Sequence, residues 1–185
     1  MNYILIIGAC ILVICLLYYL ITYNKLIRLN NNVKESFSTM DVYLKKRWDL
    51  IPNIVEIVKG YAKHEKDTLK EIVNLRNSVD YDNLSDNDKI KKNTEISKNI
   101  SKIMALAEAY PDLKANENFL SLSAELSSIE DEIAQSRKYY NAVVRDFNNK
   151  VEMIPSNIVA KMMNYTSKQM FIAEEKERSS VKVKL

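Results

Sequence analysis

The chain has 185 residues, of which two are glycine and three are proline. Average usage of about 12% for these two types would give roughly 22. Tight turns, β-hairpins and phosphate-binding loops need glycine, proline or Asn-Gly steps, so the composition excludes folds built on them and indicates a few long elements. Twenty-seven basic and 24 acidic residues give a net charge of +3, which is too small to indicate nucleic acid or an acidic substrate as a partner.

An uncharged segment of nineteen residues, Tyr3 to Ile21, stands near the start of the chain. As a helix it would extend about 28 Å, close to the roughly 30 Å of a hydrocarbon layer. The segment therefore predicts one transmembrane helix, with the lipid bilayer as its partner. No basic residue precedes it and Lys25, Arg28 and Lys34 follow, so the positive-inside rule predicts an external N-terminus and a cytoplasmic body in the cell membrane. A cleaved signal peptide would need a basic leader, which is missing.

Cysteine and histidine are scarce in the rest of the chain. Cys10 and Cys15 lie in the apolar segment, and His64 is the single histidine. The body therefore lacks the residues for a disulfide framework, a cysteine-based zinc site or the paired imidazoles of most catalytic zinc sites. His64 and Glu65 are neighbours, but adjacent helix positions point about 100° apart and do not face each other. We expect no cofactor and no catalysis.

Beyond the apolar segment, apolar residues recur at steps of three and four, the spacing of one helix face. Four such stripes are present, over residues 26–48, 51–79, 96–110 and 119–154. The residues at their ends support the division. Asp49 and Pro52 suit the start of a second helix, Ser85 with Asp88 suits the start of a third, and prolines 111 and 155 suit the ends of the third and fourth. A short helix is predicted from about 156 to 163.

Stripes of this kind are buried when antiparallel helices with short connections pack against one another. The predicted fold is all-α, with a transmembrane helix (1–24) that continues into an antiparallel bundle of about four long helices and a short last helix (25–164). A C-terminal tail (165–185) follows. A coiled-coil oligomer is the structural alternative, because heptad-like spacing also suits association between chains.

Polar residues on or near the stripes are the candidate site residues, because buried polar groups are costly unless they are paired. Two interpretations are open: bonds between helices that set their register, or a polar pocket for a ligand or partner. Glu65 and Arg76 are about 16 Å apart along one helix and cannot pair with each other. The full set of candidates is Asn30, Asn53, Glu65, Arg76, Arg137 and Asn141.

A basic run, Lys45-Lys46-Arg47, could suggest a phosphate or lipid contact. We interpret it instead as a solvated or ion-paired helix face, because Asp41 and Asp49 each stand four residues from Lys45.

Several segments in chain order resemble the LemA family: DVYLKKRWDLIPN (41–53), VKGYAKHE (58–65), EAYPDLKAN (108–116), SRKYYN (136–141) and IPSN (154–157). The resemblance covers nearly the whole chain. It implies a membrane protein with an external N-terminus and a cytoplasmic helical domain, and it implies no reaction. Two departures are visible: Tyr43 replaces a usual Gln, and Asn164-Tyr165 replaces a usual Gly-Phe.

Two functions from different classes are compatible with these observations. The first is a non-catalytic, membrane-anchored interaction or scaffold protein with an unidentified protein partner. The alternative is a ligand-sensing or hydrolytic domain with a polar pocket around Asn53, Glu65 and Arg137.

Overall fold

The computed structural model describes residues 2–62 and 65–171. His64 and the tail from residue 172 lie outside the described residues. Every regular element of the described chain is helical, so the all-α prediction is confirmed. The six helices are α1 (Asn2–Tyr61), α2 (Lys66–Asn77), α3 (Asp86–Ala109), α4 (Pro111–Lys114), α5 (Glu117–Glu152) and α6 (Ser156–Met162), with a 3-10 turn at Tyr81–Asn83.

Helix α1 is the longest element, with 60 residues and a length of about 90 Å. Its N-terminal part has a mean hydropathy of 3.0 over 18 residues, none of them buried, so it is long and apolar enough to cross a membrane. The same helix continues into the first predicted stripe without a break. That stripe is buried: Leu26, Val33, Phe37, Met40, Leu44 and Trp48 are each no more than 5% exposed.

The predicted helix boundary at Pro52 is wrong, because Pro52 lies inside α1 and the helix ends at Tyr61. A proline inside a helix removes one backbone hydrogen bond and costs about 3 kcal/mol or more. The residues around it offset this cost, since each fully buried large apolar side chain contributes about 1.5–3 kcal/mol. These buried neighbours are Ile51, Ile54, Val55 and Val58. The second stripe is consequently divided between the end of α1 and α2.

The chain forms two compact units. The first contains residues 2–38 and 138–170 of the described chain, and its core lies between the start of the α1 stripe and the second half of α5. The ring centroids of Phe37 and Tyr140 are 5.7 Å apart. After α6 the chain runs beside α5, where the Asn148 side chain accepts a hydrogen bond from the Lys168 N–H and donates one to its carbonyl, at 2.8 and 2.9 Å.

The second unit contains residues 39–62, 65–137 and Phe171 of the described chain. Its core is formed by the buried faces of α1, α2, α3 and α5. The start of α3 is as predicted, because Ser85 is its N-cap and the Ser85 Oγ accepts a hydrogen bond from the Asp88 N–H at 3.2 Å. Pro111 begins α4 directly after α3. The two units are defined by which residues pack together in the structure. The division into span, bundle and tail is a different one, made from the sequence, and it stays a prediction.

Candidate functional site

The polar side chains of the second unit converge on Arg47 of α1. The Arg47 side chain is 1% exposed. Its Nη1 atom lies 2.7 and 3.0 Å from the two carboxylate oxygens of Glu130 on α5. On α3, Nη1 donates to the Ser97 hydroxyl and Nη2 donates to the Asn93 carbonyl oxygen, both at 3.2 Å. One guanidinium therefore joins three helices.

This arrangement depends on the shape and charge of arginine. The guanidinium is planar, stays charged, and presents donors in several directions at once. Burying that charge is expensive unless a carboxylate and further acceptors surround it. Here Glu130 supplies the opposite charge and α3 supplies the other acceptors, while the Glu130 side chain keeps 41% of its surface exposed. Because the arginine itself is sealed from solvent, the geometry suits a bond between helices better than a ligand site.

A second cluster lies around Asp41 of α1. One Asp41 oxygen accepts a hydrogen bond from the Tyr81 hydroxyl at 2.9 Å, and the other lies 2.5 Å from Lys89 Nζ on α3. The Tyr81 ring packs against Trp48, with centroids 5.3 Å apart. Lys89 Nζ and Lys45 Nζ lie 5.0 and 5.7 Å from the centre of that ring, within the range of cation–π attraction.

The electrostatics of this cluster keep the tyrosine protonated. Burial raises the pKa of the Tyr81 hydroxyl well above its ordinary value of 10.0, and the nearby charge of Asp41 and their hydrogen bond raise it further. Tyr81 therefore remains a protonated donor to the Asp41 side chain at physiological pH. Asp41, like Arg47, is a residue of α1 whose side chain binds elements that follow α1 in the chain.

The six residues predicted from sequence are divided between the two units. Asn30 and Asn141 belong to the first unit, where Asn30 is buried at 9% exposure and Asn141 is half-buried. The other four, Asn53, Glu65, Arg76 and Arg137, belong to the second unit. The six do not form one site within a unit, and their functional role stays a prediction.

The four candidates in the second unit have different surroundings. Asn53 is exposed on α1, and Glu65 is the half-buried N-cap residue of α2. Arg76 donates from Nη1 to Asn77 Oδ1 at 3.3 Å and lines a groove of about 610 Å³ between α1 and α2 that also includes Pro52. The Arg137 guanidinium lies 5.4 Å from the centre of the Phe171 ring.

Arg47 and Tyr81 are the centres of the two clusters, and the sequence interpretation identified neither of them as a candidate. In the basic run, Lys45 pairs with Asp49 at 3.1 Å as predicted and Lys46 is exposed, but Arg47 is paired on a buried face. A signal was present, since Arg47 stands three residues after Leu44 and four before Ile51, which is helix-face spacing. Tyr81 lies between the end of the second stripe and the predicted start of the third helix, and it is 4% exposed.

No group of three or more His, Cys, Asp or Glu side chains is placed to hold a metal ion within residues 2–62 and 65–171.

Comparison with known proteins agrees with the segments noted in the sequence. The family model of the LemA family matches residues 36–185. The chain is also similar to Protein LemA of Metamycoplasma hominis, with 28% identity over 158 residues, which cover 85% of this chain and 72% of that protein. The matched family region includes both the Arg47 and the Asp41 clusters.

Replacing Arg47 by alanine is expected to lower the free energy of unfolding by about 3 kcal/mol, because a carboxylate and two acceptors lose their partner. Urea unfolding of the full chain in detergent, followed by circular dichroism, measures the change. The control is Lys46→Ala on the adjacent exposed position, which should stay within about 0.5 kcal/mol of the wild type. Equal stability of the two variants would contradict the proposed role of Arg47.

Replacing Tyr81 by phenylalanine tests the second cluster through pH. The folded-state pKa of Tyr81 lies above its ordinary value of 10.0, so its contribution to stability is complete below pH 10 and is lost as pH rises above it. At pH 8 the wild type should exceed Tyr81→Phe by about 1 kcal/mol. Above pH 10 this difference should shrink by up to about 1.4 kcal/mol per pH unit.

The measurement is urea unfolding between pH 7 and pH 11. Tyr139→Phe is the matched control, because Tyr139 is 61% exposed and its removal should leave the pH profile of the wild type unchanged. A difference between wild type and Tyr81→Phe that does not change with pH would show that the hydroxyl does not stay protonated in the folded protein.

Proposed function

The chain belongs to the LemA family, and on this premise we propose that it is a single-span membrane protein whose cytoplasmic helical bundle is a non-catalytic interaction or scaffold module. The observation that carries the proposal is α1, one helix that begins with an exposed apolar segment and ends inside a packed bundle. The proposed division is an anchor at 1–24, a bundle at 25–164 and a tail at 165–185.

The anchor is supported by the cost of leaving the apolar segment in water. Its large side chains, apart from the half-buried Tyr19, are exposed, from Tyr3 at 81% to Ile21 at 70%. Each large apolar side chain left in water forgoes about 1.5–3 kcal/mol relative to burial. A bilayer removes this cost for all of them at once, and tyrosines at both ends suit the headgroup boundaries.

The orientation is supported by charge. Lys25 and Arg28 are exposed immediately after the apolar segment. An excess of basic residues marks the cytoplasmic side of a span. We therefore place the short N-terminus outside the cell and the bundle in the cytoplasm.

A non-catalytic role is supported by how the second unit uses its charged groups. Arg47 and Asp41 both bind side chains of other elements, and the arginine is sealed from solvent. A ligand-sensing or hydrolytic pocket would need such groups to face an open cleft. The groove beside Arg76 is the feature that favours this alternative, since the Arg76 Nε atom is buried without a hydrogen-bond partner among the described residues.

Introducing arginines into the apolar segment tests the anchor. We expect Val13→Arg combined with Leu16→Arg to move the protein from the alkali-washed membrane fraction to the soluble or degraded fraction, because arginine at a span centre costs about 2.5–3.5 kcal/mol. The matched control is Val42→Arg with Leu120→Arg, which replaces the same residue types at the same exposure of 52–53% within the bundle. Wild-type protein found in the soluble fraction would contradict the anchor.

Orientation and partner are tested in intact cells. A reporter that is active only in the cytoplasm should give a signal when it is fused after Leu185. A signal from a reporter that is active only outside the cytoplasm would overturn the proposed topology.

Crosslinking in intact cells should trap a specific partner protein. The comparison variant is Arg137→Ala, which alters a candidate contact residue. If only crosslinks between copies of the chain appear, the result counts against a scaffold role.

A further inference from the structure

Exposed apolar side chains are concentrated at the corner between α5 and α6. Within ten residues, Met153, Ile154, Ile158 and Met162 are 61%, 82%, 61% and 66% exposed. Isolated exposed apolar residues are ordinary, but a contiguous group marks a surface that another phase or molecule covers. Ile154 had been predicted as the last residue of the buried fourth stripe, and it is exposed because α5 ends at Glu152 and the chain turns.

Helix α6 is apolar on two opposite sides. Val159 and Ala160 are buried against Leu26 of α1, whereas Ile158 and Met162, four residues apart and therefore on a shared face, point away from the protein. A helix that covers a core needs only its inner side to be apolar. The outer side of α6 is therefore not explained by packing within the unit.

The register of the first unit places this corner at the end of the apolar span. Phe37 contacts Tyr140. Leu26 lies eleven residues before Phe37 in α1, and Val151 lies eleven residues after Tyr140 in α5. Val151 packs against the apolar cluster that Leu26 forms with Val159 and Ala160 of α6. Tyr19, which belongs to the span, packs on this cluster as well. Since Tyr19 and Leu26 are about 10 Å apart along α1, the corner overlaps the level of the span's C-terminal end.

The charges around the corner suit lipid headgroups. Lys161 is exposed within the corner, and Lys25 and Arg28, which flank Leu26 in the sequence, are exposed as well. Long basic side chains can reach headgroups while their stems stay in an apolar environment. The acidic side chain of the corner, Glu152, accepts a hydrogen bond from Ser167 at 2.5 Å. Glu152 is itself exposed but is outnumbered by these three basic side chains, and this balance favours an anionic membrane surface.

We infer that the α5–α6 corner, residues 153–162, is a second membrane contact that inserts into the bilayer interface beside the span. This inference rests on the proposed anchoring of the chain. The bilayer is the occupant because the patch is continuous with the end of the span and bordered by basic residues. The span and the corner together fix the rotation of the first unit about the α1 axis, so that the same face of the unit always points away from the membrane.

Depth-dependent fluorescence quenching tests this contact on the full chain. Cys10 and Cys15 are free and are replaced by serine, and a single cysteine labelled with an environment-sensitive dye is introduced by Ile158→Cys. The protein is reconstituted in vesicles of equal parts phosphatidylcholine and phosphatidylglycerol, with nitroxide quenchers at shallow or deep acyl positions. Met162→Cys provides a second reading of the corner, and circular dichroism confirms that each variant is folded.

Two further labelled positions serve as references. Tyr139→Cys replaces a side chain with the same 61% exposure in the same unit, next to Tyr140 and about 24 Å beyond the end of the span along α1. Leu12→Cys reports on the span itself. We expect the labels at 158 and 162 to be quenched several-fold more than the label at 139, and more by shallow than by deep quenchers, whereas the label at 12 responds most to deep quenchers.

The outcomes separate this inference from the proposed function. If the label at 12 is quenched and those at 158 and 162 behave like the label at 139, the corner lies outside the bilayer and the inference fails while the anchor stands. If the label at 12 is not quenched, both fail. A corner label that is shielded from water but unaffected by lipid quenchers, and that becomes exposed on dilution, would overturn the inference in favour of contact with a second copy of the chain.

Discussion

A charged guanidinium buried in the C-terminal half of α1 is the constraint on which the second unit depends. An apolar helix face can slide or rotate against its neighbours with modest loss, but a buried charge has to meet its partners at fixed positions. Arg47 requires a carboxylate from α5 and two acceptors from α3 at the same time. These bonds, together with the Asp41–Lys89 contact between α1 and α3, constrain the relative register of the three helices, and the apolar stripes supply the bulk of the stabilisation around them.

This constraint gives a physical reading of the segment that carries the strongest family resemblance, residues 41–53. Its polar members are structural: Asp41 binds Tyr81 and Lys89, and Arg47 binds Glu130. Its aromatic member, Trp48, packs on Tyr81. The contacts of these three residues therefore join elements of the second unit to one another.

The helices and their buried faces could be predicted because they depend on the spacing of apolar residues that are close together in the sequence. Residues 26–48 follow a step of three and four, and the Ser85 cap needs only its own neighbours. The predicted boundary at Pro52 is wrong because the burial of Ile51, Val55 and Val58 outweighs the cost of a proline inside a helix. The partners of Arg47 and Tyr81 could not be predicted, since Glu130 is 83 residues away from Arg47 and Asp41 is 40 residues away from Tyr81. The predicted candidates, by contrast, are polar residues on or near the stripes, and the structure distributes them over two units.

A double-mutant cycle in the full chain tests most directly the claim that the Arg47–Glu130 pair holds the bundle. The free energies of unfolding are measured for the wild type, Arg47→Met, Glu130→Leu and the double variant. Each single change leaves one charged group without its partner, whereas the double variant replaces both by apolar groups. We predict that the double variant is more stable than the sum of the single losses implies, by about 1–3 kcal/mol. Single losses that add to within about 0.5 kcal/mol would contradict the account, because they would show that the two side chains do not depend on each other.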